Sequence, residues 1–254
     1  MPNRDRELYY KRKSKNKRHP LDVVRRARSD HRITDVVCFV SCGRDSAVAL
    51  DLCVKHFDRV EPVFMYVVKG ISFQERYLNY LENWCGLKIH RIPHWGLSRV
   101  LKGGAFRHMT AGASNLRQLK PRHAEDYVRK LTGVDWIATG EKYHDSLERN
   151  VQISKANGIS QERKKLWPLA WWTHSDVQAY AARERIMVGP DYRIKLAGGH
   201  GGSMSSLLTT DEIVPIFESY PDDFEKIREV FPHVEAQVQR YYQSRGRDGG
   251  HTTS

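Results

Sequence analysis

The chain has 254 residues, of which 40% are hydrophobic and 28% are charged, and its formal net charge is +12. This composition is typical of a globular protein with one sizeable core, and no apolar run approaches the ~20 residues of a membrane-spanning helix. No apolar segment of the kind found in secretory signals follows the basic amino terminus. We therefore expect a cytoplasmic protein with no membrane partner.

Residues 1–32 are the most basic part of the chain. They hold twelve Lys or Arg and four Asp or Glu, so they contribute +8 of the net +12. We interpret them as a basic N-terminal arm with a short helix at 21–28. The arm would suit a polyanion such as DNA or RNA, or serve only as a solvated tail, and composition does not separate these interpretations.

Apolar runs alternate with amphipathic segments from residue 35 onward. This alternation predicts βαβ units and a doubly wound, mostly parallel α/β sheet over residues 33–186. Ser72 and Glu75 have the spacing of a capping box at the start of one helix. The predicted strands are DVVCFV (35–40), EPVFMYVV (61–68), LKIHRIP (87–93) and VDWIAT (134–139), and the predicted helices are 45–57, 72–86, 121–133 and 173–186.

The rest of the chain predicts a helical C-terminal extension. Residues 187–242 are predicted to form a loop followed by helices at 209–220 and 222–242, and residues 243–254 a disordered tail. No internal repeat is present, and the oligomeric state stays open.

A six-residue segment follows the first strand and opens the next helix. In such a position, consecutive backbone N–H groups and a helix N-terminus converge to form an anion site. The glycine allows close approach of a ligand to the backbone, the serines offer hydroxyls, and the aspartate is predicted to cap the helix. We name this segment the hexapeptide; its residues, all candidate ligand contacts, are Ser41, Cys42, Gly43, Arg44, Asp45 and Ser46.

The hexapeptide resembles the Ser-Gly-Gly-x-Asp-Ser loop of the PP-loop ATP pyrophosphatases and their phosphoadenosine phosphosulfate (PAPS) reductase relatives, with Cys42 in place of the first glycine. A second segment, 136–149, is similar to the Gly-x-Arg block of the PAPS reductase family, with Lys142 replacing the arginine. A third, 166–180, resembles the family's Pro-Leu-x-x-Trp-Thr-x-x-Asp-Val-x-x-Tyr segment. The three occur in the family's order.

This resemblance implies an adenine nucleotide alpha hydrolase-like fold and a site for ATP or a PAPS-type nucleotide. ATP would be split between its α- and β-phosphates, and the adenylate passed to a substrate, in one version a nucleic acid. Magnesium is expected with the nucleotide, held by Asp45. The implied catalytic residues are Asp45, Lys142 and Arg149, and the implied nucleotide contacts beyond the hexapeptide are Gly140 and Ser146.

The chain also departs from the sulfite-forming reductases. Their C-terminal Glu-Cys-Gly-Leu-His segment is missing, no cysteine follows Cys85, and the corresponding region, 198–202, reads GGHGG, either a lid or a connector. The usual thiol chemistry is therefore disfavoured. Two alternatives remain: a sulfonucleotide reductase using Cys42, and a non-catalytic nucleotide-sensing or nucleic-acid-binding module.

The cysteines and histidines show no metal-ligand spacing. The four cysteines, Cys38, Cys42, Cys53 and Cys85, form no Cys-x-x-Cys pair, and His90, His94 and His108 are isolated. This pattern predicts neither an iron–sulfur cluster nor zinc.

Overall fold

The computed structural model describes residues 19–104, 106, 108, 113–187, 189 and 208–248. Six strands form one sheet in the order β3-β2-β1-β4-β6-β5. Every neighbouring pair is parallel except β5 with β6, which is antiparallel. The strands are β1 (Asp35–Val40), β2 (Arg59–Tyr66), β3 (His90–Pro93), β4 (Trp136–Thr139), β5 (Ile159–Ser160) and β6 (Lys165–Leu166).

Helices connect the strands and cover both faces of the sheet. The doubly wound α/β prediction is confirmed, although α6 and the short β5–β6 hairpin were not predicted. The helices are α1 (Asp22–Ser29), α2 (Arg44–His56), α3 (Ser72–Cys85), α4 (Leu97–Lys102), α5 (Pro121–Thr132), α6 (Leu147–Ala156), α7 (His174–Arg183), α8 (Thr210–Ser219), α9 (Pro221–Val230) and α10 (Glu235–Asp248).

Strand β1 is central because it is apolar on both faces. Val36 and Cys38 belong to the large core that includes α2 and α7, whereas Val37 packs into a smaller core with Val128 of α5 on the other face. A strand buried on both sides needs a continuous apolar run, and DVVCFV supplies it. The alternation of side chains along β1 therefore places one helical layer on each side of the sheet.

The strand order reverses between β1 and β4. From β1 the chain first builds outward through β2 and β3, and it then returns to place β4 on the other side of β1. In open parallel sheets, ligands bind beyond the carboxyl ends of the strands at such a switch point. Here those ends are followed by Ser41 and Gly140.

The predicted short helix near the amino terminus is confirmed as α1, but it is not part of a free arm. Val23, Val24 and Ala27 are buried in the large core. Trp172 Nε1 donates a hydrogen bond of 2.7 Å to the carbonyl of Pro20. The boundary at residue 32 is therefore corrected, since residues from Pro20 onward pack on the α/β body.

The C-terminal helices build a second core against α3. Ile213, Phe224 and Phe231 are buried there together with Val68 and Phe73 of the α/β body. The predicted capping box of α3 is wrong: α3 has no side-chain cap from its N-cap residue, and Ser72 bonds to Asp223 of α9 instead. The N-terminus of α3 is thus satisfied by a carboxylate from a distant segment.

The single helix predicted at 222–242 is two helices, α9 and α10. Pro232 explains the break, because a proline disfavours helical backbone in the residue before it. Helix α10 then continues to Asp248, past the predicted end at Tyr242. The GGHGG segment at 198–202 lies outside the described residues. Across the described part of the chain, every helix is too short or too polar to cross a membrane.

Candidate active site

A cleft of about 400 Å³ lies at the carboxyl edge of the sheet, where β1 and β4 end. Among the predicted site residues, it is lined by Ser41, Asp45, Ser46, Gly140 and Arg149. The other predicted residues, Cys42, Gly43, Arg44, Lys142 and Ser146, belong to the same segments but are not among the described lining residues. The fold therefore brings the first two motif segments to one edge.

The two serines of the hexapeptide hold its turn together. Ser46 Oγ accepts a hydrogen bond of 2.9 Å from the N–H of Ser41 and lies 2.8 Å from the carbonyl oxygen of Gly43. Ser41 Oγ accepts a bond of 3.1 Å from the N–H of Gly43. These internal bonds fix the loop that leads into α2, so the loop is shaped before any ligand arrives.

Two glycines from different segments lie close against the backbone of the hexapeptide. A Cβ added to Gly140 would lie 2.9 Å from the carbonyl oxygen of Asp45 and 3.0 Å from Cα of Ser46. A Cβ on Gly189 would overlap the carbonyl oxygen of Cys42. Because these neighbours are backbone atoms, a larger residue at either position requires the loop to move. Sequence reasoning identified Gly140 and missed Gly189.

Asp45 does not cap α2 as predicted, since the N-cap residue is Gly43 and no side chain caps it. Its carboxylate instead forms an ion pair with the ammonium of Lys142. Lys142 is only 5% exposed, and its ammonium also lies 3.0 Å from Asp145 Oδ1. The carboxylate of Asp45, which was predicted to hold magnesium, is thus already paired with Lys142.

The two carboxylates keep Lys142 charged. Burial acts to lower the pKa of Lys142, but hydrogen bonds and charge from Asp45 and Asp145 outweigh it and raise the pKa above the ordinary lysine value. A positive charge is thus fixed behind the hexapeptide at the end of β4.

Glu141, which sequence reasoning missed, organises the other side of the cleft. Its carboxylate accepts hydrogen bonds from Trp167 Nε1 at 2.8 Å and Thr139 Oγ1 at 3.1 Å. It also lies 2.7 Å from the guanidinium of Arg149 and 3.5 Å from Lys165 Nζ. Glu141 stands at the variable position of the motif, between Gly140 and Lys142, and the motif assigns that position no role. Its place between these two residues was the only sign in the sequence that it belongs to the site.

The charges around Glu141 keep it ionised. Burial acts to raise the pKa of Glu141, but Lys165, Trp167 and Arg149 together lower the pKa below its usual value. Glu141 thereby holds Arg149 at the cleft wall. An arginine fixed in this way is suited to bind phosphate, because its orientation is set in advance.

Ser146 has a structural role in addition to its predicted one. It is the N-cap of α6, where its Oγ accepts a hydrogen bond of 3.2 Å from the N–H of Arg149. The motif serine therefore fixes the helix turn that carries the motif arginine. Any contact of Ser146 with a nucleotide remains a prediction.

Cys42 is 2% exposed and forms part of the large core. A buried thiol is poorly placed to attack a substrate, because only an accessible thiolate is an effective nucleophile. Among the described side chains, no group of three or more His, Cys, Asp or Glu could hold a metal ion.

Residues 35–195 match the family model of the phosphoadenosine phosphosulfate reductase domain. The resemblance seen in the three motif segments is thereby confirmed, and the match covers more than half of the chain. No curated protein matches the chain.

Solved structures show similar folds at low identity. One is the NH3-dependent NAD synthetase from Campylobacter jejuni in complex with nitrate (12% identity, 87% of this chain and 90% of that chain, TM-score 0.47). Another is the U34-tRNA thiolase NcsA from Methanococcus maripaludis (14% identity, 87% of this chain and 78% of that chain, TM-score 0.44). Similarities of this size do not identify a reaction or a substrate.

The tRNA thiolase corrects one prediction. That protein carries a 4Fe–4S cluster. For the present chain, the cysteine spacing had predicted that no iron–sulfur cluster is bound. The exclusion of an iron–sulfur cluster from cysteine spacing was wrong, because spacing along the sequence does not show which thiols a fold brings together.

Proposed function

The chain belongs to the phosphoadenosine phosphosulfate reductase domain family, and from this premise we propose that it binds an adenine nucleotide in the cleft and transfers adenylate from ATP. One observation carries the proposal. Gly140 packs against the backbone of Asp45 and Ser46, so the turn at the end of β4 and the hexapeptide form one wall. A pyrophosphate group at that wall would lie beside the N-terminus of α2 and the guanidinium of Arg149.

In this reaction, an oxygen of the acceptor attacks the α-phosphorus of ATP. The bond from the α-phosphorus to the bridging oxygen of the β-phosphate breaks, and pyrophosphate leaves with the bonding electrons. Negative charge grows on the leaving group, where Arg149 and the N-terminus of α2 would stabilise it. Lys142, which does not line the cleft, would act by holding Asp45 and the hexapeptide in place. No general base is required of the protein for this step when the acceptor oxygen is already ionised.

The test compares ATP binding and pyrophosphate release in the wild type and in Lys142→Met. Loss of the ammonium removes the ion pair of Asp45, whereas Asp145 keeps its hydrogen bond of 2.7 Å from the backbone N–H of residue 142. We expect ATP affinity to fall at least tenfold and the rate of pyrophosphate release to fall by about 10². Lys155→Met, which removes an exposed lysine of α6, is the control and should leave both unchanged. Failure of the wild type to bind ATP would overturn the proposal.

The same assay separates the alternatives. A nucleotide sensor would bind ATP without releasing pyrophosphate, with or without DNA or RNA present. A sulfonucleotide reductase would form sulfite from PAPS and a thiol donor, and Cys42→Ser would abolish that activity. The burial of Cys42 argues against the reductase.

We further propose that residues 1–18 bind a nucleic acid. They contain eight Lys or Arg and two Asp or Glu, whereas the basic residues that follow belong to the folded body. Deletion of residues 1–18 should flatten the salt dependence of DNA or RNA binding, by about 0.9 units of log–log slope for each phosphate that the arm neutralises. An unchanged slope would contradict this part of the proposal.

A further inference from the structure

A second cavity, of about 670 Å³, lies beside the cleft. One side is formed by the segment that follows β3, including α4. The other side comes from the C-terminal helical region, through residues 208–210 and Gln237 of α10. His94 and Trp95 line both this cavity and the cleft, so two neighbouring residues form the partition between them.

The cavity has the size of a ligand site, since small-molecule sites span roughly 300–1,000 Å³. Its exposed lining is mostly apolar, with a few polar groups on both sides, which is the usual composition of a ligand site. The apolar lining residues are Val67, Trp95, Leu97, Val100, Phe106 and Leu208.

Arg99 gives the cavity its charge preference. It is the one Lys or Arg among the described lining residues, and its side chain is exposed. No ion pair of Arg99 occurs within the described part of the chain, whereas Lys142, Arg149 and Lys165 at the cleft are all paired with carboxylates. Its guanidinium is therefore available to a ligand.

The partition adds no second positive charge. Burial lowers the pKa of His94, so its imidazole is neutral at pH 7. Its Nδ1 accepts a hydrogen bond of 3.0 Å from the N–H of Gly96, which fixes the ring within the turn. The described lining thus presents an apolar chamber with a single cation.

We propose that this cavity binds a second, small ligand with an apolar body and one negatively charged group, which pairs with Arg99. The inference goes beyond the proposed function, because it assigns a ligand to a cavity that His94 and Trp95 separate from the nucleotide cleft. It also gives the C-terminal helices a functional role, since residues 208–210 and Gln237 complete the chamber.

The test uses two fluorescent probes that differ in charge. 1-Pyrenebutyrate carries an apolar ring system and one carboxylate, and 1-pyrenebutanol has the same ring system without charge. We expect the full-length protein to bind the carboxylate more tightly. Arg99→Gln should weaken binding of pyrenebutyrate about threefold to fivefold and leave pyrenebutanol unchanged, as expected for one partly exposed ion pair.

Two further variants locate the binding. Lys102→Gln removes a nearby cation of α4 that does not line the cavity, and it should change neither affinity. Val100→Trp should fill the chamber and abolish binding of both probes while the melting temperature shows that the protein is folded. Equal affinity of pyrenebutyrate for wild type and Arg99→Gln, or no binding to the wild type, overturns the proposal.

A parallel titration with ATP separates this inference from the proposed function. If ATP binds normally and the probes do not bind as described, the second site is wrong and the nucleotide site stands. If the probes bind as described and ATP does not bind, the cavity is a ligand site but the adenylate-transfer reaction is wrong.

Discussion

Carboxylates join distant segments at the interface between α3 and α9 and at the cleft, and their surroundings differ in the two regions. At the interface between α3 and α9, Asp223 is 1% exposed and accepts hydrogen bonds from the N–H of Ser72 at 2.8 Å and from its hydroxyl at 2.6 Å. At the cleft, Glu141 also contacts several donors, among them Arg149, which lines the open volume, and Asp45 pairs with Lys142.

The contact of Asp223 with α3 stabilises the fold, whereas the contacts of the cleft carboxylates position cations for a ligand. Asp223 satisfies the unpaired N–H groups at a helix N-terminus inside an apolar core, so its interactions are complete in the folded chain. The cleft carboxylates hold cations at the edge of a space that a ligand can enter. Substitution of Asp223 should therefore change stability alone, and substitutions at the cleft should change ligand affinity more than stability.

The largest effect is expected for Asp223→Asn. The amide cannot accept all of the bonds that the carboxylate accepts, and it removes the charge that faces Lys226 at 3.0 Å. We expect the free energy of unfolding, measured by denaturant titration, to fall by about 2–3 kcal/mol. ATP affinity should not change.

Asp222→Asn is the matched control for that variant. Asp222 is the preceding residue in the first turn of α9 and is exposed. Its substitution should alter the free energy of unfolding by less than about 0.5 kcal/mol. Equal losses in the two variants would show that the contact with α3 is not what stabilises the interface.

Gly140→Ala should act mainly on the site. The added methyl group meets the backbone of Asp45 and Ser46, so the hexapeptide must shift to accept it. We expect a loss of about 1.4 kcal/mol in ATP binding, or about tenfold in affinity measured by calorimetry. The melting temperature should fall by only a few degrees; unchanged ATP affinity would contradict the close approach of the two segments.

Glu141→Gln should have a smaller effect on the same reaction. Glutamine keeps the size of the side chain but loses the charge that holds Arg149. Because Arg149 is partly exposed, we expect ATP affinity to fall about threefold to fivefold. Glu148→Gln is the control, since Glu148 is mostly exposed and lies 3.8 Å from Arg149. A larger loss in Glu148→Gln would reassign the positioning role.

The smallest effect concerns pH. Burial acts to raise the pKa of Asp223, but hydrogen bonds from Ser72 and Lys226 lower the pKa below its usual value. Its contribution to stability is therefore complete above the unfolded pKa, near 4, and is lost as the pH falls through the folded value. The gap in unfolding free energy between wild type and Asp223→Asn should be constant from pH 7 to about 5 and narrow below pH 4. A gap that widens in acid would reverse this sign.

Much of the fold and part of the site are predictable from local patterns. The apolar run at 35–40 predicted β1 with its observed bounds, and Thr173 caps α7 through a capping box with Asp176. The hexapeptide was placed between β1 and α2 because strand, turn and helix signals follow one another directly. Each of these features depends on residues that are close in sequence, where periodicity and backbone preferences determine the structure.

Ser72 illustrates why other features were not predictable. Its spacing to Glu75 satisfies the rule for a capping box, yet Ser72 bonds to Asp223, which is 151 residues away, and Glu75 pairs with Arg91. The local rule therefore predicted the wrong partners for both Ser72 and Glu75. A partner that lies in another segment has no signature in the sequence near the helix.

The strand–helix alternation, the family motifs and the edge of the sheet at which the motifs meet all follow from the amino-acid sequence. Three contacts are visible only in the folded chain: Asp45 pairs with Lys142 across 97 residues, Gly189 lies against the hexapeptide, and Glu141 holds Arg149. Local patterns fix the periodicity and direction of each element. The pairing of charges and the close approach of backbones depend on which distant segments the core brings into contact.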